Sequence, residues 1–420
     1  MTAEPDLAAS RDRGPGPLDG ARVLDLTSVV MGPYATQILA DLGAEVITVE
    51  SAKGDTNRAM GAGPHRQLSG VSLNLLRNKR NIAVDLKAGA GREVVLRVAA
   101  TCDVWVTNLR PGALKRAGLT YDDVRAVRPE VVYCQAQGYP ADGPDADLPA
   151  YDDIIQAAGG LADAARIQTG RPALAPTILA DKVCGLTIAY AVIAAMYRRA
   201  LTGNGDHIEV PMAETFAAFM LVEHGAQAIP VPPLGPAGYP RILTPNRRPQ
   251  ATTDGWLNVL PYSREHYEAL FTEGGRADLV GDPRSATGRA RIEHSGYLYQ
   301  EVAAILATRT SAEWMAFCRE RGIPATEVVS LDELVAELPE AEHPVVGRYK
   351  VIPAPVRFAS LVGDGRHGAP RVRDASSVRR HAPLIGQHTA EVLREVGYDD
   401  EAIEALEAAG VLTGAPADPG

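Results

Sequence analysis

The sequence predicts an α/β protein built on a large, Rossmann-like parallel sheet, with a second, smaller α+β domain after it. Three observations predict it. Apolar strand-like runs alternate with helix-like segments from residue 22 to residue 138, a proline-rich stretch breaks the pattern at 229–249, and a new turn-and-strand signal opens at 252. The 420 residues also exceed what one core ordinarily organises, so two domains are expected.

The elements follow in order. RVLDLTSVV (22–30) reads as a buried strand, GPYATQILADLG (32–43) as a helix stopped by glycine, and AEVITVE (44–50) as a second strand. Strands joined through a helix in this way make a parallel β-α-β unit. NIAVDL (81–86), the helix GAGREVVLRVAATC and the strand DVWVTNL (103–109) repeat it. RPGALKRAG is a short helix with proline at its start, followed by YDDVRAV and the strand EVVYCQAQG (130–138). Residues 139–152, rich in Pro, Gly and Asp, read as loop, and helices are expected around 153–165 and 181–201. The seven prolines of 229–249 suit an extended linker, and TTDGWLNVLPY (252–262) a turn and strand. Residues 343–360 read as strands and turns, and the tail as two short amphipathic helices with Gly397 between them. The expected organisation is a flexible extension at 1–17, a large domain at 18–225 plus 345–420, a linker at 226–249, and a small domain at 250–344.

Hydrophobic content of 46% and charged content of 22% are ordinary for a globular chain. A net charge of −10 argues against nucleic-acid or anionic-membrane partners, whose footprint is basic. Locally the sign reverses: between Leu75 and Thr120 nine Lys/Arg face three acids. The knots Arg77-Asn78-Lys79-Arg80 and Arg110, Lys115, Arg116 suit a solvated basic face or a clamp for phosphates, and composition does not decide between them. The four cysteines are scattered without metal-like spacing, so a reduced, cytoplasmic protein without a metal site is expected. Residues 1–17 lack the apolar core of a signal peptide. The longest apolar stretch, Val183 to Tyr197, is short for a membrane span and suits a buried helix.

A dinucleotide reading of the first β-α-β unit fails on its turn. Val29-Val30-Met31-Gly32-Pro33 has one glycine where the fingerprint needs three, and a proline that removes a donor. Glu50 then reads as a solvated strand end. Asp181 stands at the start of the strongly apolar helix. Spacing alone favours a cap or first-turn acid, although a carboxylate there would also be held ionised by the helix's positive end, the state a nucleophile needs.

The ordered set PLDGARVLDLTSVVMGPYATQILADLGAEVITVE (17–50), GDTNR (54–58), NKRNIAVDLK (78–87), DVWVTNLRPGALKRAGL (103–119), YDDIIQAAGGL (151–161), LADKVCGL (179–186), LTGNGDHIEVPMAE (201–214), TPNRRPQATTDGW (244–256) and PLIGQHTAEVL (383–393) resembles the class III CoA-transferases. The resemblance implies that Asp181 is the nucleophile. It implies that Val84, Leu86 and Lys87 line the adenine pocket, that Asn108, Leu109 and Arg110 contact CoA, and that Arg116 binds its phosphate. Ser28, Val29, Val30 and Met31 match the loop near the thioester, and Gln137 stands at another CoA-binding position. It further implies acyl-CoA and a small carboxylic acid as substrates, no permanently bound cofactor, and an interlocked homodimer. Three positions and one stretch depart from the oxalate-using formyl-CoA enzyme. Val30 replaces a glutamine, Ser51 an arginine, and Gln137 a lysine, while 244–248 stand where that enzyme has a glycine run. The α-methylacyl-CoA racemases share the fold but need a second acid/base. Their His falls at Tyr151, a poor base at neutral pH. A non-catalytic CoA-binding homologue would be expected to lose Asp181, which is present.

Overall fold

The computed structural model describes residues 16–356, 358 and 378–414. Most of the expected N-terminal extension, and parts of the stretches 343–360 and 345–420, lie outside the described residues. The chain divides into two compact units. One comprises the chain as far as Ile155, Thr177–Phe216 and the chain from Glu337; the other comprises Gln156–Pro176 and Ala217–Ala336.

The first unit is organised by a seven-stranded sheet. Its strands are β1 (Arg22–Leu26), β2 (Glu45–Glu50), β3 (Lys79–Val84), β4 (Val104–Thr107), β5 (Val132–Gln137), β6 (Asp206–Pro211) and a short C-terminal strand, Leu412–Thr413. The spatial order is Leu412–Thr413, β3, β2, β1, β4, β5, β6, and every pairing is parallel except that of Leu412–Thr413 on β3. Strand order therefore reverses between β1 and β4, the switch point at which ligands bind in open sheets of this kind.

The register explains which residues face which way. Leu24, Ile47 and Ile82 are on one face with Leu26, Val49 and Val84, and they form a buried apolar cluster. Against it pack Val94, Val95 and Val98 of the helix Gly89–Ala99 and Val392 and Leu393 of the helix Thr389–Glu395. The opposite face presents Asp25, Thr48, Lys79 and Asn81, all buried. Over that face lies helix α1 (Met31–Asp41), whose Pro33 carbonyl and Thr36 hydroxyl accept from Lys79 Nζ at 2.9 and 2.8 Å.

Several elements depart from the sequence expectation. β1 stops at Leu26 rather than running to 30, because Val29 adopts φ +68° and the chain turns. The helix expected around 153–165 is two, α2 (Asp152–Ala158) and α3 (Leu161–Thr169), separated where Gly160 takes φ +94°. β6 was not expected as a strand; it is a half-exposed edge whose apolar alternation is weak, and Pro211 ends it. Helix α4 (Leu179–Thr202) starts two residues before Asp181 and buries Ala180, Cys184, Gly185, Ile188, Ala189, Val192 and Ala195 along one stripe. Among the described residues it is the one helix long and apolar enough to cross a membrane by length and composition.

The second unit holds an antiparallel three-stranded sheet, Gln250–Ala251, Trp256–Val259 and Ala325–Glu327. Leu257, Val259, Leu270, Phe271, Leu298, Val302, Leu306 and Trp314 make its core, and Trp314 donates its indole N–H to the Leu306 carbonyl at 3.0 Å.

Candidate active site

The switch point lies between two loops, 27–30 after β1 and 108–110 after β4. A side-chain amide joins them. Ser28 donates its N–H to Asn108 Oδ1 at 3.0 Å, and Asn108 Nδ2 donates to the Ser28 carbonyl at 2.9 Å. Asn108 thus serves both backbone polar atoms of one residue, as a neighbouring strand would. The next residue, Val29, donates its N–H to both oxygens of Asp55 at 3.1 Å. Burial pushes the Asp55 carboxyl up to about 6, against the opposing effect of the N–H groups of Asn57 and Val29.

Beyond Val29 the chain enters α1 with no side-chain cap at Val30. The Met31 N–H, one of the first-turn donors without a helical partner, is on the side of the Asp181 carboxylate and helps to hold it ionised. Two glycines permit this approach. A Cβ at Gly32 would lie 2.2 Å from that of Thr27, and one at Gly185 would lie 2.7 Å from the Met31 carbonyl oxygen. The N-terminal turns of α1 and α4 therefore meet, with Asp181 between them.

Asp181 is buried in the first turn of α4, and Ile178, not Asp181, occupies the cap position. Its backbone N–H donates to Asp152 Oδ1 at 3.0 Å, so a second buried carboxylate stands beside it. The sequence reading expected the helix's positive end to favour the ionised form. The balance runs the other way: burial first, and Asp152 second, raise the Asp181 carboxyl from 3.8 to about 6, and the Met31 N–H only partly opposes them. At neutral pH the group is still mostly ionised. It is a poorly solvated carboxylate near a like charge, and so a stronger nucleophile than one in water.

The remaining candidates occupy the carboxyl edge of the same sheet. Val84 is buried at the end of β3, paired with Leu412, while Leu86 is half-buried and Lys87 exposed just beyond. Leu109 is half-buried. Arg110 is exposed and donates to the Asp147 carbonyl at 2.9 Å. Arg116 is exposed in the last turn of the helix Pro111–Ala117. Gln137, 2% exposed, ends β5 and donates Nε2 to Glu209 at 2.7 Å, leaving its carbonyl oxygen without a partner among the described residues. Ser51 is exposed beyond β2.

The first basic knot takes neither role considered for it. Arg77 pairs with Asp41, Lys79 with Asp25, and Arg80 with Glu45, Glu391 and Glu395, all three cations being buried at the amino end of β3. Nor is Glu50 a solvated strand end; it is buried, and Arg58 grips both its oxygens at 2.7 and 2.8 Å. Sequence reasoning missed Asp152 and Asp55. Each stood in a quoted motif, YDDIIQAAGGL and GDTNR, but no spacing rule links either to Asp181 or Val29.

Comparison with known proteins agrees along the chain. The family model for CoA-transferase family III matches residues 18–389. The succinyl-CoA:glutarate CoA-transferase of Mus musculus is 31% identical over 406 residues, covering 94% of this chain and 90% of that enzyme. The formyl-CoA:oxalate CoA-transferase of Escherichia coli is 26% identical over 428 residues, covering 93% and 98%. The crystal structure of Rv3272 from Mycobacterium tuberculosis superposes with a TM-score of 0.72 at 29% identity, over 90% of this chain and 99% of that one.

Proposed function

The chain belongs to CoA-transferase family III and is a CoA-transferase, and from that premise we propose that Asp181 is the carboxylate that carries the transferred group. One Asp181 oxygen attacks the donor thioester carbonyl, the C–S bond breaks, and a mixed anhydride and CoA thiolate result. The thiolate attacks the Asp181 carbonyl carbon, the anhydride C–O bond breaks, and the donor acid leaves an aspartyl-CoA thioester. The acceptor carboxylate attacks that thioester, expelling the thiolate. The thiolate then takes the acceptor's acyl carbon, and Asp181 returns as carboxylate. Carboxylate, thioester and thiolate balance every bond made and broken.

The observation that carries this reading is the buried Asp181 in the first turn of α4, packed against the first turn of α1 at the switch point. In this reading an N–H of that turn, Met31's, orients the attacking oxygen and serves the oxyanion when the Asp181 carbonyl is itself attacked. Around it, the exposed cations Arg110 and Arg116 suit CoA phosphates, Val84, Leu86 and Lys87 the adenine, and Val29, Val30, Asn108, Leu109 and Gln137 the pantetheine arm. The first donor–acceptor pairs to screen are those in the names of the two relatives, succinyl-CoA with glutarate and formyl-CoA with oxalate. The working form is a homodimer, which light scattering tests.

Asp181→Ala should abolish transfer while CoA still raises the melting temperature. Mass spectrometry of the wild type under donor alone should find CoA on the peptide holding Asp181. Transfer retained by the variant refutes the assignment.

A further inference from the structure

Val29 is a β-branched residue at φ +68°, a conformation that costs on the order of 1–3 kcal/mol and persists only where the surroundings over-determine it. Here they do, one residue at a time. Ser28 is held at both backbone polar atoms by Asn108, and Val29 at its N–H by Asp55. The two holding side chains come from different loops, those following β2 and β4, so neither is a by-product of the turn's own sequence. The reason for the turn is visible at its far end. Gly32 presses on Thr27, and past the reversal at Val29 the first turn of α1 lies against α4, where a Cβ at Gly185 would meet the Met31 carbonyl oxygen at 2.7 Å.

We propose that Asp55 and Asn108 are positioning residues of the transfer reaction, which hold Val29 in the left-handed conformation and so fix the first turn of α1 against the start of α4, where Asp181 stands. This rests on the reading of Asp181 as the attacking group. Neither residue touches the reacting atoms in this role. Asp55 has a second task, accepting from the Asn57 N–H at 2.8 Å to start the turn Thr56–Ala59, so loss of activity alone would not identify its function.

The test is a double-mutant cycle with Val29→Gly, because glycine occupies positive φ without strain and needs less holding. Asp55→Ala should lower kcat by about 10–100-fold with little change in KM for acyl-CoA, since a misplaced group of this kind costs about that much. In the Val29→Gly background the same substitution should cost less than about threefold. Asn108→Ala provides the second, independent removal. It should show the same coupling in kcat, with its lost CoA contact read separately in KM, and decides the matter if Asp55→Ala melts below the assay temperature. Equal losses in both backgrounds, or an unchanged kcat in the folded single variants, overturn the proposal. Asp181→Ala run alongside separates the two ideas. Transfer retained there refutes the nucleophile, whereas transfer lost there with additive cycles refutes only the positioning.

Discussion

Replacing Asp181 by asparagine should make the protein inactive and more stable, and the size of the gain should depend on pH. The carboxyl lies at about 6 in the folded protein against 3.8 ordinarily. At about 1.4 kcal/mol per unit, holding the ionised group in the fold opposes folding by up to about 3 kcal/mol. The sign follows from the raised folded value. The folded state binds this proton more readily than the unfolded chain, so the contribution favours folding at low pH. It is lost as pH rises from about 3.8 through about 6, and is fully lost above that. Asparagine keeps the shape and an oxygen for the Met31 N–H without the charge. Urea unfolding of variant and wild type at pH 7.5 should differ by about 1–3 kcal/mol, and at pH 5 by about half as much. Other carboxylates raised by burial, Asp55 among them, are common to both proteins and cancel. A gain that is the same at both pH values would reflect packing and refute the argument, as would a loss of stability at pH 7.5.

Asp152→Asn removes the second cause of the raised Asp181 value, so the acid-side fall of kcat/KM should move below about 6, by less than the whole gap because burial is the larger cause; an unmoved or upward-shifted limb contradicts it. Arg116→Ala should raise KM for acyl-CoA several-fold at low salt with kcat nearly constant, an effect that shrinks as salt screens the exposed charge; an unchanged KM rules out a phosphate contact. Lys79→Met leaves Asp25 buried with hydroxyl and N–H donors but no cation, and should lower the unfolding free energy by about 3–5 kcal/mol, with part of it recovered in Asp25→Asn/Lys79→Met. Urea midpoints check it, and a loss below about 1 kcal/mol would show that the pair is dispensable.

The parallel sheet was legible because its strands are apolar runs separated by helices, a pattern that periodicity reads directly. Its edges were not. β6 and Leu412–Thr413 are half-exposed or two residues long, and pairing partners, not composition, make them strands. The basic knot at 77–80 misled for a related reason. Charge counting treats every Lys and Arg as solvated, whereas the acids that neutralise these, Asp25, Asp41, Glu45, Glu391 and Glu395, arrive from distant parts of the chain. Asp181 could be singled out only by the resemblance of LADKVCGL and the other ordered motifs to the family, because a carboxylate at a helix start is in itself a common cap or first-turn acid. Asp152 and Asp55 could not. What distinguishes them is one hydrogen bond each, to the N–H groups of Asp181 and Val29, across 29 and 26 residues of sequence.

The same distribution says where this fold tolerates unfavourable terms. Away from the switch point the buried charges are matched: Arg58 on Glu50, Arg77 on Asp41, Lys79 on Asp25. At the switch point Asp181 stands beside a like charge, with a strained valine leading into the turn packed against its helix. A chain that needed only stability would replace the aspartate by a neutral residue and the valine by glycine. Gly32 and Gly185 show that the sequence uses glycine here wherever a side chain would block the approach of α1 to α4. At Val29 it instead keeps a side chain and holds the strained backbone from outside, through Asp55 and Asn108. For a reaction whose intermediates are an anhydride and a thioester, both open to hydrolysis, a donor fixed before substrate arrives is worth more than the stability given up to fix it.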